Sequence, residues 1–117
     1  MTIWRSTVGK KALVAASGLL LCLWVIAHVA GNLTVFSGAA AADGYAASLR
    51  RAPAALWAVR IGLLVAAVVH IAGVVSLTRA DRAARPRHEA HGPRASTWAA
   101  RTMRVGGALL LAFVIFH

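Results

Sequence analysis

Apolar residues fall in three long blocks separated by short polar segments. Residues 12–36 contain no charged side chain, and at 1.5 Å per residue they make about 37 Å of helix, enough for a hydrocarbon core of roughly 30 Å. Residues 37–53 hold Gly38, an alanine run, Asp43, Tyr45, Arg50 and Arg51. They predict a loop with a short helical turn lying in a membrane interface, with Tyr45 at headgroup level. A second helix is expected over residues 55–78, where 18 uncharged residues separate Arg60 from Arg79. The third block, residues 105–117, is only 13 residues long. That is about 20 Å of helix, too short to cross, so the chain is expected to be the N-terminal part of a longer protein.

The expected fold class is therefore all-α, a transmembrane helix bundle forming a single domain. Composition supports it, since 60% of the residues are hydrophobic and only 14% charged, against roughly a half and a quarter in soluble domains. The formal charge of +10 comes from 13 Lys and Arg against Asp43, Asp81 and Glu89. Because these basic residues flank membrane-length apolar runs, they suit anionic lipid or acidic partner subunits rather than nucleic acid. The N-terminus and residues 79–104, which bear seven arginines, belong by the positive-inside rule in the cytoplasm. The first apolar run is too long for a secretory signal, whose core has 7–15 residues. The lone Cys22 excludes an intramolecular disulfide and reads as an apolar filler.

Each apolar block carries one histidine, at His28, His70 and His117. An imidazole in lipid needs partners for its ring nitrogens, so the set points to a cofactor or metal. Counting from the nearest cytoplasmic basic residue, His28 lies 17 residues beyond Lys11, His117 13 beyond Arg104 and His70 9 before Arg79. Their depths are then about 25, 20 and 14 Å for upright helices. Two imidazoles on one iron share a height, which pairs His28 with His117 on an outer haem b and leaves His70 for an inner one. Zinc fits less well, since it takes four ligands and the spans offer no carboxylate. The segment from His88 through Glu89 to His91 has the wrong spacing for a helical zinc motif. The glycines Gly18, Gly31, Gly62 and Gly73 suit close helix packing, and Trp24, one turn before His28, suits packing against a porphyrin.

Three groups of residues carry a resemblance to a known family. The first is Ser6-Thr7-Val8-Gly9-Lys10-Lys11, then Ser17-Gly18, then His28-Val29-Ala30-Gly31-Asn32-Leu33. The second is Tyr45, Leu49 and Arg50 before Val59-Arg60-Ile61-Gly62-Leu63 and His70-Ile71, and the third is Ala84-Arg85-Pro86, Ala95-Ser96-Thr97, Arg101-Thr102-Met103 and Phe113-Val114-Ile115-Phe116-His117. In order and spacing they resemble the single-chain, di-haem cytochrome b anchor of succinate dehydrogenase and of menaquinol:fumarate reductase.

The resemblance implies five helices in a bacterial cytoplasmic membrane, holding two haems b. His28 and His117 would share the haem distal to the soluble subunits, and His70 would pair with a histidine of a fourth helix. It further implies an iron–sulfur subunit and an FAD flavoprotein as partners, menaquinone as the quinone, and no catalytic site in this chain.

Haem propionates need basic or hydroxyl partners. Ser6, Lys10, Lys11, Ser96, Thr97, Arg101 and Arg104 are candidates on the inner side, and Arg60 on the outer. Asp43 and Tyr45 are candidates for a quinone site. The rival expectations are a small histidine-bearing transporter or metal-handling protein without haem, and a purely structural anchor.

Overall fold

The computed structural model describes residues 3–84 and 98–117, and among these the fold is all-α. Helix α1 spans Thr7–Asn32, α2 Ala39–Arg50, α3 Pro53–Ala83 and α4 Trp98–Phe116. The chain forms two units, residues 1–84 with α1 to α3 and residues 85–117 with α4.

The helices start before the uncharged blocks that announce them, and α1 gives way to a 3-10 turn at Leu33 inside its block, because a helix starts and stops at caps and breakers and not at charges. Ser6 has extended backbone (φ −96°, ψ 141°), and its Oγ accepts from the Gly9 amide at 2.8 Å. This N-cap starts α1 five residues before the charge-free run, at Thr7. Pro53 takes the first turn of α3, where its missing N–H and fixed φ cost nothing. The helix then continues past Thr78 through Arg79, Ala80 and Arg82, all good helix formers. In α4 the helix begins at Trp98 instead of residue 105, and Thr102 Oγ1 donates back to the Trp98 carbonyl at 3.0 Å.

Residues 37–53 correct the expected loop. They form the 12-residue helix α2, because their alanine-rich sequence has high helix propensity and needs only a start and a stop. The start is Gly38, whose φ of +100° breaks the preceding 3-10 turn at Leu33–Ser37. Thr34 Oγ1 donates at 2.8 Å to the Gly31 carbonyl in the last turn of α1, which the Leu33 amide also reaches.

α1 and α3 run antiparallel and touch along a seam of small residues. Lys10 meets Ser76, Val14 meets Gly73, and Ser17 and Gly18 meet His70. Trp24 lines a groove with Gly62 and Leu63. No large apolar side chain is fully buried among the described residues, and Ile26 and Leu64 remain 66% and 67% exposed. Two 31-residue segments, Thr7–Ser37 and Pro53–Ala83, are long and apolar enough to cross a membrane. Their uncovered apolar surface calls for lipid or further helices around it.

The seam separates the glycines by role. A Cβ at Gly73 would lie 2.5 Å from Val14 Cγ2, a β-branched side chain with little rotamer freedom. At Gly62 a Cβ would meet nothing within 4 Å. Gly73→Ala is therefore expected to destabilise the α1–α3 pair by about 1–3 kcal/mol. Gly62→Ala should be neutral or stabilising by up to about 1 kcal/mol. Denaturant titration in micelles, followed by helix content, checks the order of the two.

Candidate functional site

His70 sits midway along α3, half-buried against α1. Its Nδ1 lies 3.1 Å from the Val14 carbonyl oxygen and 3.2 Å from Ser17 Oγ. A carbonyl oxygen only accepts, so this network assigns the proton to Nδ1, shared between the two oxygens. The Ser17 hydroxyl spends its own proton on the Leu13 carbonyl at 2.6 Å, with the Val14 carbonyl at 3.2 Å. Nε2 of the neutral ring then carries the lone pair. A metal-binding histidine commonly has this arrangement, with one nitrogen anchored to a carbonyl and the other left as the ligand.

Gly18 makes the contact possible. Its amide lies four residues after Val14, where the helical hydrogen bond reaches the Val14 carbonyl. A Cβ there would come 2.9 Å from His70 Cε1 and 3.3 Å from Nδ1. Glycine thus opens the backbone of α1 to the Cε1–Nδ1 edge of the ring.

His28 lies on α1 eleven residues beyond Ser17, the residue level with His70. The two imidazoles are therefore separated by about 16 Å along the helix axis, and they cannot share one iron. Counting from flanking charges places them about 11 Å apart. That count sets Lys11 and Arg79 at one height, whereas the seam pairs Lys10 with Ser76 and carries Arg79 about a turn lower.

The rings of Trp24 and His28 stack with centroids 5.8 Å apart and planes 22° apart. Asn32 Nδ2 stands 3.3 Å from His28 Nε2, so the amide donates to that nitrogen. Just past α4, His117 stacks on Phe113 at 5.1 Å, and its backbone amide closes the last turn on the Phe113 carbonyl at 2.7 Å.

The other sequence-named residues divide clearly. Lys10 Nζ donates to Ser76 Oγ at 2.7 Å, bridging the helices seven residues, or about 10 Å, from the level of His70. Ser6 caps α1 and keeps its hydroxyl proton to donate. Arg60 lies over the Trp57 ring at 5.2 Å, near the height of His28 by the seam register. Lys11 and Arg104 are exposed.

Asp43 and Tyr45 are two positions apart on α2, which turns them about 200° from one another. Tyr45 lies on Gly31, where a Cβ would stand 2.8 Å from its Cζ, and lines an open cleft with Asn32, Thr34 and Leu49. Asp43 is exposed and does not line that cleft. Ser96, Thr97, His88, Glu89 and His91 lie outside the described residues, as does the side chain of Arg101. Among the described residues, no three His, Cys, Asp or Glu side chains gather as a metal-binding group.

Sequence reasoning names the ligand-type histidines but misses the roles of Ser17, Val14, Asn32 and Ser76. Ser17 and Asn32 stand in the quoted motifs, yet their partners depend on a helix register that residue order alone does not supply.

If Gly18 exists to seat His70, the two are coupled. Gly18→Ala should cost roughly 1–3 kcal/mol by displacing the ring, and that cost should vanish in a His70→Ala background. Thermal unfolding of the four proteins of this cycle in one detergent measures the coupling, and additive costs would refute it. Compared with known proteins, the chain matches no protein-family model, no curated protein and no solved structure.

Proposed function

We propose that the chain is a haem b-carrying membrane anchor of succinate:menaquinone oxidoreductase, or of the enzyme run in reverse as a quinol:fumarate reductase. The reading rests first on the resemblance carried by its motifs. The observation that supports it most is the seating of His70, with Nδ1–H held by α1 and Nε2 left as a ligand in an apolar helix pair.

In this reading α1 and α3 cross a bacterial cytoplasmic membrane, with the N-terminus and residues 79–104 on the cytoplasmic side. His28 and His117 hold the outer haem through their imidazoles. At His28, Nε2 would be the nitrogen to hold the iron, in place of its present 3.3 Å contact with the Asn32 amide. His70 holds the inner haem with a histidine of a further helix. The separation of about 16 Å between His28 and His70 assigns the two rings to different haems.

Lys10 and Ser6 would serve inner propionates, with Ser96 before α4 and Arg101 within it as their counterparts, and Arg60 would serve an outer one. Haem bound by two histidines carries single electrons and offers no open site for oxygen chemistry. This chain's own residues fix ring height, tautomer and propionate charge. The partners are an iron–sulfur subunit, an FAD flavoprotein, lipid and menaquinone. Tyr45 in its cleft is the better placed of the two quinone candidates, because Asp43 faces elsewhere. Oxidation of succinate belongs to another chain.

Reduced-minus-oxidised spectra of membranes from haem-sufficient cells test this directly. The natural protein should give b-type bands with two components. His70→Ala should remove one component, and His28→Ala and His117→Ala should both remove the other. A flat spectrum sinks the proposal in favour of a haem-free histidine-bearing transporter or metal-handling protein. Loss of the same component in His28→Ala and His70→Ala would overturn the two-haem assignment.

A further inference from the structure

Ser17 is the one buried polar side chain among the described residues. A serine within an apolar helix is satisfied by donating to the carbonyl one turn back, and the 2.6 Å bond to Leu13 does this. The approach of its oxygen to His70 Nδ1 at 3.2 Å is a second interaction that Ser17 does not need for itself. Donation to Leu13 also polarises the hydroxyl and makes its oxygen a better acceptor. Nδ1–H therefore faces two acceptors, one from backbone and one from a side chain.

From this geometry we infer that Ser17 is a positioning residue that tunes the electron donation of His70 to its iron, and so lowers the reduction potential of that haem. The inference rests on the haem reading of His70. Pulling the Nδ1 proton toward an acceptor raises the basicity of the ring and strengthens Nε2 as a ligand. A stronger donor favours ferric over ferrous iron, and second-shell hydrogen bonding is one of the means by which a protein sets a haem potential.

The Val14 carbonyl alone fixes the tautomer, and Gly18 leaves the ring its seat. Removing the Ser17 hydroxyl therefore leaves ring and iron in place and takes away one acceptor. A serine that served packing alone would change haem content or thermal stability and leave the potential where it was.

The test is a redox titration of each spectral component in the complete complex, for the wild type and for Ser17→Ala, Ser17→Cys and Ser17→Thr. His70→Ala first identifies the component bound at His70. In Ser17→Ala that component should keep its haem content and titrate at a higher potential, while the other component stays fixed. The expected shift is up to about tenfold in the ferric–ferrous equilibrium, or 59 mV for one electron. Ser17→Thr, which keeps a hydroxyl able to make the same bonds, should return to the wild-type value, and Ser17→Cys, a weak acceptor of similar size, should fall between.

If Ser17→Ala loses haem, Ser17→Cys carries the measurement, because its side chain still fills the seam. Full haem content with an unmoved potential in Ser17→Ala, or in Ser17→Cys where the alanine variant is haem-free, overturns the inference and leaves the haem reading intact. If His70→Ala removes no component, the haem role of His70 falls, and the role of Ser17 with it.

Discussion

The hydrogen bond from His70 Nδ1 to the Val14 carbonyl ties the two long helices together at mid-height, and the rest of the seam is arranged so that it can form. A helical carbonyl already accepts one bond from within its helix but has a second lone pair. Reaching it from a neighbouring helix requires that nothing cover it. Gly18 provides the opening on one side of the ring, and Gly73, one turn from His70, lets Val14 approach α3 closely enough for the bond to reach. An imidazole that missed this bond would keep only the longer contact to Ser17 Oγ at 3.2 Å. Two glycines, a serine and a backbone carbonyl thus answer to one ring nitrogen.

That economy shapes the outer surface too. Because the seam uses small residues and one imidazole, the large side chains of α1 and α3 stay on the outside, where Leu23, Ile26, Leu64 and Val68 are all exposed. Close packing of small residues is how helices associate where lipid removes the hydrophobic drive between them. The polar contacts punctuate the pair at different heights. Lys10 joins Ser76 toward the N-terminal end of α1, Ser17 joins His70 further along, and Trp24 with Asn32 frames His28 near the far end.

Much of this was legible in residue order, for physical reasons that differ by feature. The long charge-free runs announce α1 and α3, since lipid-length apolarity is a one-dimensional property. The ends of the helices are less visible, because Ser6 as a cap and Pro53 as a first-turn residue act locally and outweigh the position of the nearest charge. The alanine-rich stretch before Pro53 looks like a connection by its charges and glycines, yet it folds as α2 because propensity prevails between Gly38 and Arg51. His70 stands out as an isolated imidazole in an apolar helix, while Ser17 does not, since a serine there is ordinary until the opposing helix puts a nitrogen beside it. The full height difference between His28 and His70 is likewise hidden in residue order, because charges at the two helix ends do not lie at one level.

The seam also acts as a gauge. Sliding α3 by one residue along α1 would turn its contact face by about 100° and carry the imidazole off Gly18, with Val14 driven against a residue larger than glycine. Neighbouring alignments of this hairpin are therefore separated from the native one by steric conflict as well as by a lost bond. A nascent chain that brings these two helices together reads its own alignment from the ring and its seat. The orientation of His70 and its Nδ1 tautomer therefore depend on the docked hairpin.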